Sequence, residues 1–159
     1  MIRYRQTNRG TLPAAEIVLA YQQAFNIPWW RMLLSGLATL LHIGGIFQIT
    51  DEFYEVMTDE LEQYFLAFLA KDKTDLELYI DVKFDCDDFH FRLMGAIHMD
   101  KKLVALPIFE TSVEWTTNDK RIGHALLSYV KNGKVHMVEP QSDEVYPPKA
   151  KYQLNLVHG

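Results

Sequence analysis

An Asn-Gly pair in the C-terminal third constrains the fold more than any other stretch of this sequence. Asn132 and Gly133 stand between two apolar runs, and an Asn-Gly pair in that position is the strongest short-range signal for a two-residue type I′ hairpin. Such a turn sets the register of both strands, because the residues that flank it must pair. The predicted pairs are Lys131–Lys134, Val130–Val135, Ser128–Met137, Leu126–Glu139 and His124–Gln141. This register places His124, Glu139 and Gln141 on one face, with Glu139 diagonal to His124, so the hairpin predicts an imidazole within reach of a carboxylate.

Helical patterns dominate the sequence up to about residue 71, and short strand patterns dominate it after Asp100. We expect helices to begin at Thr11-Leu12-Pro13 and at Trp29-Trp30, and to cover Thr50 to Val56 and Thr58 to Ala70. We expect strands at Leu103 to Phe109, Ser112 to Thr116, Gly123 to Val130 and Val135 to Glu139. Helices followed by antiparallel strands predict an α+β fold.

The length of the chain, 159 residues, is enough for one core, so we expect a single domain over residues 1–159. Its helical part is expected at about residues 11–71. The sheet, together with a strand and a helix around the cysteine, is expected at about residues 76–146.

The only cysteine lies where a helix is expected to begin. Residues 76–84 alternate between apolar and polar side chains, which predicts a half-buried strand that stops at Asp85. Asp is a preferred N-cap residue, so Cys86 falls on the first helical position, with Asp87 and Asp88 in the first turn. The unpaired N–H groups and the dipole at a helix start favour the thiolate, which is the nucleophilic form of cysteine.

Three aspartates around this thiol act against the thiolate, because like charges disfavour a second anion. Either a protonated histidine or a bound hard cation such as calcium would offset them. The simpler interpretation is that Cys86 is a small buried hydrophobic residue.

For the hairpin, the simpler interpretation is that His124 is a locally satisfied strand histidine and Glu139 an exposed charge at a strand end.

The acidic composition excludes some classes of partner. A net charge of −5 and a pI near 5.6 argue against nonspecific nucleic-acid binding. One cysteine excludes an intrachain disulfide, and no signal-peptide pattern opens the sequence, so we expect a cytoplasmic protein. Residues 32–49 carry no formal charge, but their polar residues and a Gly-Gly pair favour a buried helix followed by an extended segment over a membrane span. Four histidines have no partner at metal-ligand spacing in the sequence: His42, His90, His98 and His136.

Three motifs together carry a family resemblance: Asp85-Cys86-Asp87-Asp88-Phe89, Gly123-His124-Ala125 and Val138-Glu139-Pro140-Gln141. Over about residues 80–146, the chain resembles the papain-like cysteine protease domain at the C-terminus of the Marasmius oreades agglutinin and in related small phage and bacterial proteins. The resemblance implies a papain-like fold with Cys86 as nucleophile, His124 as base and Glu139 as the third member of a triad. It implies that Asp87 and Asp88 bind calcium, or another hard divalent cation such as manganese.

The same resemblance implies a polar role in the active site for Gln141, which we interpret as the oxyanion donor. It does not extend to sugar-binding lectin repeats, which this sequence lacks, so glycan binding is not expected.

The leading hypothesis is a calcium-dependent, papain-like cysteine hydrolase, a peptidase or amidase that acts on a peptide or protein substrate. The alternative is a catalytically silent papain-like binding protein, such as a phage-type inhibitor or adaptor, that acts through protein–protein contacts. In that case the helical N-terminal half, with Trp29 and Trp30, is the expected partner surface. An integral membrane protein is a third possibility, although no membrane partner is expected.

Overall fold

Four helices and two β-sheets are present in the described residues of the computed structural model, which are 10–40, 45–80 and 85–159. The helices are α1 (Ala14–Ala24), α2 (Trp29–Leu40), α3 (Asp59–Leu69) and α4 (Cys86–Met99), with a 3₁₀ turn at Thr74–Leu76. The strands are β1 (Thr11–Pro13), β2 (Phe47–Gln48), β3 (Phe53–Glu55), β4 (Ile108–Thr117), β5 (Lys120–Lys131), β6 (Lys134–Glu139), β7 (Glu144–Tyr146) and β8 (Gln153–His158). The predicted α+β class is confirmed.

The larger sheet has six strands in the order β2-β8-β4-β5-β6-β7. Its neighbouring strands are antiparallel, except that β2 pairs with β8 in parallel. The smaller sheet consists of β1 and β3. The sequence predicted a purely antiparallel sheet built from the C-terminal half alone. The observed sheet is mixed, because β2 from the N-terminal half forms one edge and pairs with β8 in parallel.

The two faces of the larger sheet pack against different helices, because side chains alternate along each strand. On one face, Leu126 of β5 shares a buried cluster with Ile17 of α1. On the other face, Leu127 shares a second buried cluster with Phe65 of α3 and Leu93 of α4. We refer to these as the α1 face and the α4 face.

The predicted hairpin is confirmed next to its turn. Lys131 pairs with Lys134, and the ladder continues through the predicted pair of Ser128 and Met137. Asn132 and Gly133 have φ angles of 50° and 69°, the left-handed values that a type I′ turn requires. The ladder ends at the pair of Leu127 and Val138, so the two outermost predicted pairs, Leu126–Glu139 and His124–Gln141, do not form.

Three predicted elements are wrong. Instead of a strand from Leu76, the chain forms the 3₁₀ turn and then only a single bridge at Ile80, and residues 81–84 lie outside the described residues. Leu76 and Leu78 are 73% and 75% exposed, so the alternation that predicted a strand does not mark a buried face. The helix predicted over 50–56 is replaced by β3, which pairs with β1. The strand predicted from Leu103 begins only at Ile108, after a series of turns.

The uncharged segment is divided between α2 and β2. The Ser35 hydroxyl accepts a hydrogen bond from the Ile46 N–H at 2.7 Å, which ties the helix to the segment that follows it. Residues 41–44 lie outside the described residues. Within the described ranges, no helix combines the length and the apolarity needed to cross a bilayer.

Candidate functional site

The imidazole of His124 and the carboxylate of Glu139 form the contact that the hairpin predicts. His124 Nε2 lies 2.6 Å from Glu139 Oε2, and the two side chains are 18% and 19% exposed. The backbone N–H of Gln141 donates to the other carboxylate oxygen, Glu139 Oε1, at 3.4 Å. The carboxylate therefore has a partner at each oxygen, which holds it and the imidazole in one orientation while part of both remains open to solvent.

Aromatic and lysine side chains lie to one side of this pair, which Trp115 contacts directly. The Trp115 ring meets the His124 ring edge-on at a centroid distance of 6.4 Å and leans on the Tyr152 ring at 5.4 Å. Lys151 Nζ lies 4.4 Å from the Trp115 ring centroid. Lys149 Nζ lies 4.4 Å from the centroid of a further ring, that of Tyr146. We refer to Trp115, Tyr146, Lys149, Lys151 and Tyr152 as the aromatic–lysine surface.

Tyr146 connects this surface to the His124–Glu139 pair. Burial raises the pKa of the Tyr146 hydroxyl well above its ordinary value, and a hydrogen bond with Tyr152 and the charge of Glu139 raise it further. No sequence pattern predicts this surface, because its rings come from β4, β7 and the segment before β8, and β4 is far from the other two along the chain. The only available signal was the clustering of tyrosine and lysine over residues 146–152.

The start of α4 has the predicted local structure. Asp85 is the N-cap residue and its side chain accepts from the Asp87 N–H, while the Asp88 side chain accepts from the Asp85 N–H at 3.2 Å. The Asp85 side chain also accepts from the Asp88 N–H, and this bond and the reciprocal one from the Asp85 N–H to the Asp88 side chain form a capping box. Cys86 is the first helical residue and is half-buried.

The cation site that the resemblance implies fits the structure only in part. Ligand atoms of Asp85, Cys86 and Asp87 lie within 4.8 Å of one another. Asp88, which was expected to be a ligand, instead uses an oxygen for the capping box. Calcium takes six to eight oxygen ligands, so this site would supply carboxylates from Asp85 and Asp87, and water would have to complete the set. The neighbouring Asp87 carboxylate raises the pKa of the Asp85 carboxyl through a shared hydrogen bond. Calcium binding stays a prediction.

Cys86 belongs to α4, which packs on one face of the larger sheet, whereas the side chain of His124 lies on the other face. By alternation along β5, His124 lies on the α1 face together with Leu126, whereas α4 packs on the opposite face against Leu127. Among the hydrogen bonds of the described residues, none connects the Cys86 thiol with the His124 ring. A joint catalytic role for the two residues stays a prediction.

No protein-family model matches the chain, and no curated protein matches it. Solved structures do match. PSL1a, a Polyporus squamosus lectin, in a complex with E-64 is 16% identical with a TM-score of 0.60, and the match covers 94% of this chain and 51% of the lectin chain. A Polyporus squamosus lectin bound to the human-type influenza-binding epitope Neu5Aca2-6Galb1-4GlcNAc is also 16% identical, with a TM-score of 0.62 and coverage of 94% and 49%. The chain thus spans about half the length of these proteins and shares their fold over that half.

These comparisons correct the functional expectations from the sequence. The resemblance to a papain-like cysteine protease domain is wrong as a family assignment, because both matching structures reported above are of a Polyporus squamosus lectin. The same finding contradicts the calcium-dependent cysteine hydrolase, and a peptide or protein as its substrate. The alternative, a silent papain-like protein acting through protein–protein contacts, is not supported either, although Trp29 and Trp30 are 69% and 51% exposed.

Proposed function

We propose that this chain is a carbohydrate-binding domain and that the aromatic–lysine surface, together with His124 and Glu139, holds the sugar. The observation that carries the proposal is the position of the Trp115 ring beside a partly exposed, hydrogen-bonded imidazole and carboxylate. One structural neighbour, the Polyporus squamosus lectin bound to Neu5Aca2-6Galb1-4GlcNAc, holds a sialylated trisaccharide, which supports the same class of ligand.

The rings account for the apolar part of sugar recognition. One side of a pyranose ring presents C–H groups, which pack against an aromatic face, while its hydroxyls point outward. The partly exposed Trp115 ring packs on Tyr152, which belongs to the buried cluster on the α1 face. A platform held in this way loses little side-chain entropy when a ligand binds to it.

The polar groups account for orientation. A sugar hydroxyl both donates and accepts, and it therefore suits a site that offers both kinds of group. The Glu139 carboxylate accepts hydrogen bonds, and the nearby lysine ammonium groups donate them. A few polar groups that converge beside an apolar wall are typical of a small-molecule site.

The lysines favour an acidic sugar over a neutral one. Lys149 and Lys151 are both exposed and both lie over rings of this surface, so the rim of the site is positively charged in a chain with a net charge of −5. A sialic acid carries a carboxylate that either ammonium group could pair with. We therefore expect a sialylated glycan to bind more tightly than its asialo counterpart.

The experiment is a titration of the purified chain with Neu5Acα2-6Galβ1-4GlcNAc and with Galβ1-4GlcNAc, followed by NMR or calorimetry. We expect the sialylated trisaccharide to bind more tightly. Lys151→Ala should weaken its binding about fivefold, which corresponds to about 1 kcal/mol. Glu139→Gln should weaken the binding of both sugars, because the sugar hydroxyls lose a charged acceptor.

The matched control is Lys134→Ala, which removes an exposed lysine at the hairpin turn, away from the rings. It should leave both affinities unchanged. If neither sugar nor a wider panel of glycans binds, or if Lys151→Ala and Lys134→Ala behave alike, this surface is not a sugar site.

The finer expectation for the fold, a papain-like arrangement, and the catalytic role of Cys86 both stay predictions. The sugar site proposed here needs neither of them. Cys86→Ser should therefore leave sugar affinity unchanged, because α4 packs on the other face of the sheet from His124.

A further inference from the structure

A cavity of about 300 Å³ opens between α3 and α4. The residues that line it come from one side of α3 and the turn after it, with one residue from α4: Tyr64, Ala67, Phe68, Lys71, Asp72 and Ala96. Residues three or four apart share a helix face, which is why the α3 residues point to the same space. The volume lies at the lower end of the range for small-molecule sites, about 300–1,000 Å³.

Short side chains at Ala67 and Ala96 leave this space open. The two helices pack through the buried cluster on the α4 face, which contains Phe65 of α3 and Leu93 of α4. At the cavity, an alanine on each helix presents only a methyl group, so neither position fills the gap between them. A longer apolar side chain at either position would take the space that a ligand needs.

Two rings form the apolar wall of the cavity and are held in place. Tyr64 and Phe68 are half-buried and pack against the buried cluster on the α4 face. The Tyr64 hydroxyl donates to Asp100 Oδ2 at 2.8 Å, and Lys102 Nζ lies 4.4 Å from the centroid of the Tyr64 ring. These contacts fix the ring before a ligand arrives, which lowers the entropic cost of binding a flat molecule.

The polar groups at the cavity favour an anion. The Asp72 carboxylate already accepts a hydrogen bond from the Thr74 N–H at 2.9 Å. The Lys71 side chain is exposed, and no ion pair among the described residues uses its ammonium group. The Lys102 ammonium group on the Tyr64 ring is a second cation near the cavity. A carboxylate or sulfonate of a ligand could therefore pair with Lys71.

We propose that this cavity binds a small molecule that has flat, apolar rings and one anionic group, with the rings against Tyr64 and Phe68 and the anion at Lys71. An apolar wall with a few polar groups at its rim is typical of small-molecule sites. Because α3 and α4 pack on the face of the sheet opposite to His124, this site is separate from the proposed sugar site and does not rest on it.

The experiment titrates the purified chain with naphthalene-2-sulfonate and with 2-naphthol, which share two flat rings but differ in charge. Two-dimensional NMR of the backbone amides locates each compound on the chain and gives its affinity. We expect saturable shifts at the amides of Ala67, Lys71 and Ala96 with both compounds. We expect the sulfonate to bind more tightly, because only the sulfonate can pair with an ammonium group.

Substitutions test the two parts of the proposal separately. Ala67→Leu fills the cavity from α3 and should weaken the binding of both compounds at least tenfold, and Ala96→Leu should do the same from α4. Ala67 is exposed and Leu is a good helix former, so we expect the variant to fold, which circular dichroism checks. Lys71→Ala should weaken the binding of the sulfonate about fivefold and leave that of 2-naphthol unchanged.

The matched control is Ala70→Leu, which adds the same side chain at an exposed position at the end of α3 that does not line the cavity. It should bind both compounds as the parent chain does. Loss of binding in Ala67→Leu with this control unchanged supports the proposal. The proposal is overturned if neither compound shifts these amides, if Ala67→Leu and Ala70→Leu behave alike, or if Lys71→Ala affects both compounds equally.

Discussion

At the scale of single residues, Asp143 has the environment that departs most from an ordinary surface carboxyl. It lies in the turn between β6 and β7, with a left-handed backbone at φ 56°. Burial raises the pKa of its carboxyl to about 6, and the charges of Asp75 and Asp72 add to the effect. The folded protein therefore holds this proton more tightly than the unfolded chain does. As a result, the free energy of unfolding falls as the pH rises from about 4 to about 6.

Replacing Asp143 by Asn should remove this pH-dependent loss of the free energy of unfolding. Asn tolerates the left-handed conformation equally well, so the turn is kept. The gain in the free energy of unfolding should be about 1 kcal/mol at pH 7, because solvent screens a group that is largely accessible. The gain should vanish at pH 4, where the parent carboxyl is protonated in the folded state. Urea denaturation at the two pH values measures both quantities.

Asp119→Asn is the matched control, since Asp119 also has a positive φ of 61° but lies in the exposed turn between β4 and β5. It should change stability little at either pH. Equal gains for Asp143→Asn at pH 4 and pH 7 would show that the turn, and not the charge, is responsible.

At the scale of the element, the acidic first turn of α4 serves the helix itself. The capping box uses the side chains of Asp85 and Asp88 to satisfy N–H groups that a helix start leaves unpaired. Asp87 is exposed and lies next to the Asp85 carboxyl. The motif that suggested a metal-assisted nucleophile therefore has a structural role for at least two of its three aspartates.

Asp88→Ala and Asp87→Ala should have different effects on stability. Asp88→Ala removes one bond of the capping box and should lower the free energy of unfolding by about 1 kcal/mol. Asp87→Ala removes a like charge beside Asp85 and should be nearly neutral or slightly stabilising. Thermal unfolding of both variants in metal-free buffer makes the comparison. If the order is reversed, the Asp88 side chain does not stabilise the start of α4.

At the scale of the whole molecule, Ser128 joins three elements in the core. Its buried hydroxyl bonds to the Tyr21 hydroxyl of α1 and to the Thr111 hydroxyl of β4. Burial raises the pKa of Tyr21 far above its ordinary value, so this phenol stays neutral. A polar network inside an apolar cluster fixes how α1 sits on the sheet.

Ser128→Ala should cost more stability than Tyr21→Phe. The first change removes the shared partner of two buried hydroxyls, so we expect a loss of about 2 kcal/mol. The second change leaves Ser128 and Thr111 bonded to each other, so we expect the free energy of unfolding to fall by only about 1 kcal/mol. Urea denaturation of both variants gives the comparison, with Thr117→Ala at the exposed end of β4 as a control that should change little. An equal or smaller cost for Ser128→Ala would mean that the network does not hold α1 in place.

Local chemistry explains which predictions succeeded. The Asn132-Gly133 turn, the cap at Asp85 and the helix α3 behind Thr58 depend on a few neighbouring residues, and all three are confirmed. The contact between His124 and Glu139 followed from the alternation of side chains along the two strands, although the outermost predicted pairs of the hairpin do not form. The strand predicted from Leu76 rested only on the alternation of apolar and polar residues, and it was wrong. Alternation does not tell whether another element covers the apolar side, and here Leu76 and Leu78 are exposed.

The sequence by itself determined the fold class, the hairpin register near its turn and the start of α4, because these depend on interactions between residues close in the chain. Only the tertiary structure decided the rest. It placed α4 on the face of β5 opposite to His124, gathered the rings around Trp115 and brought Ala67 and Ala96 to one cavity. The physical reason is that strand order and helix placement follow from how whole apolar faces are buried together, and no short stretch of sequence records which faces will meet.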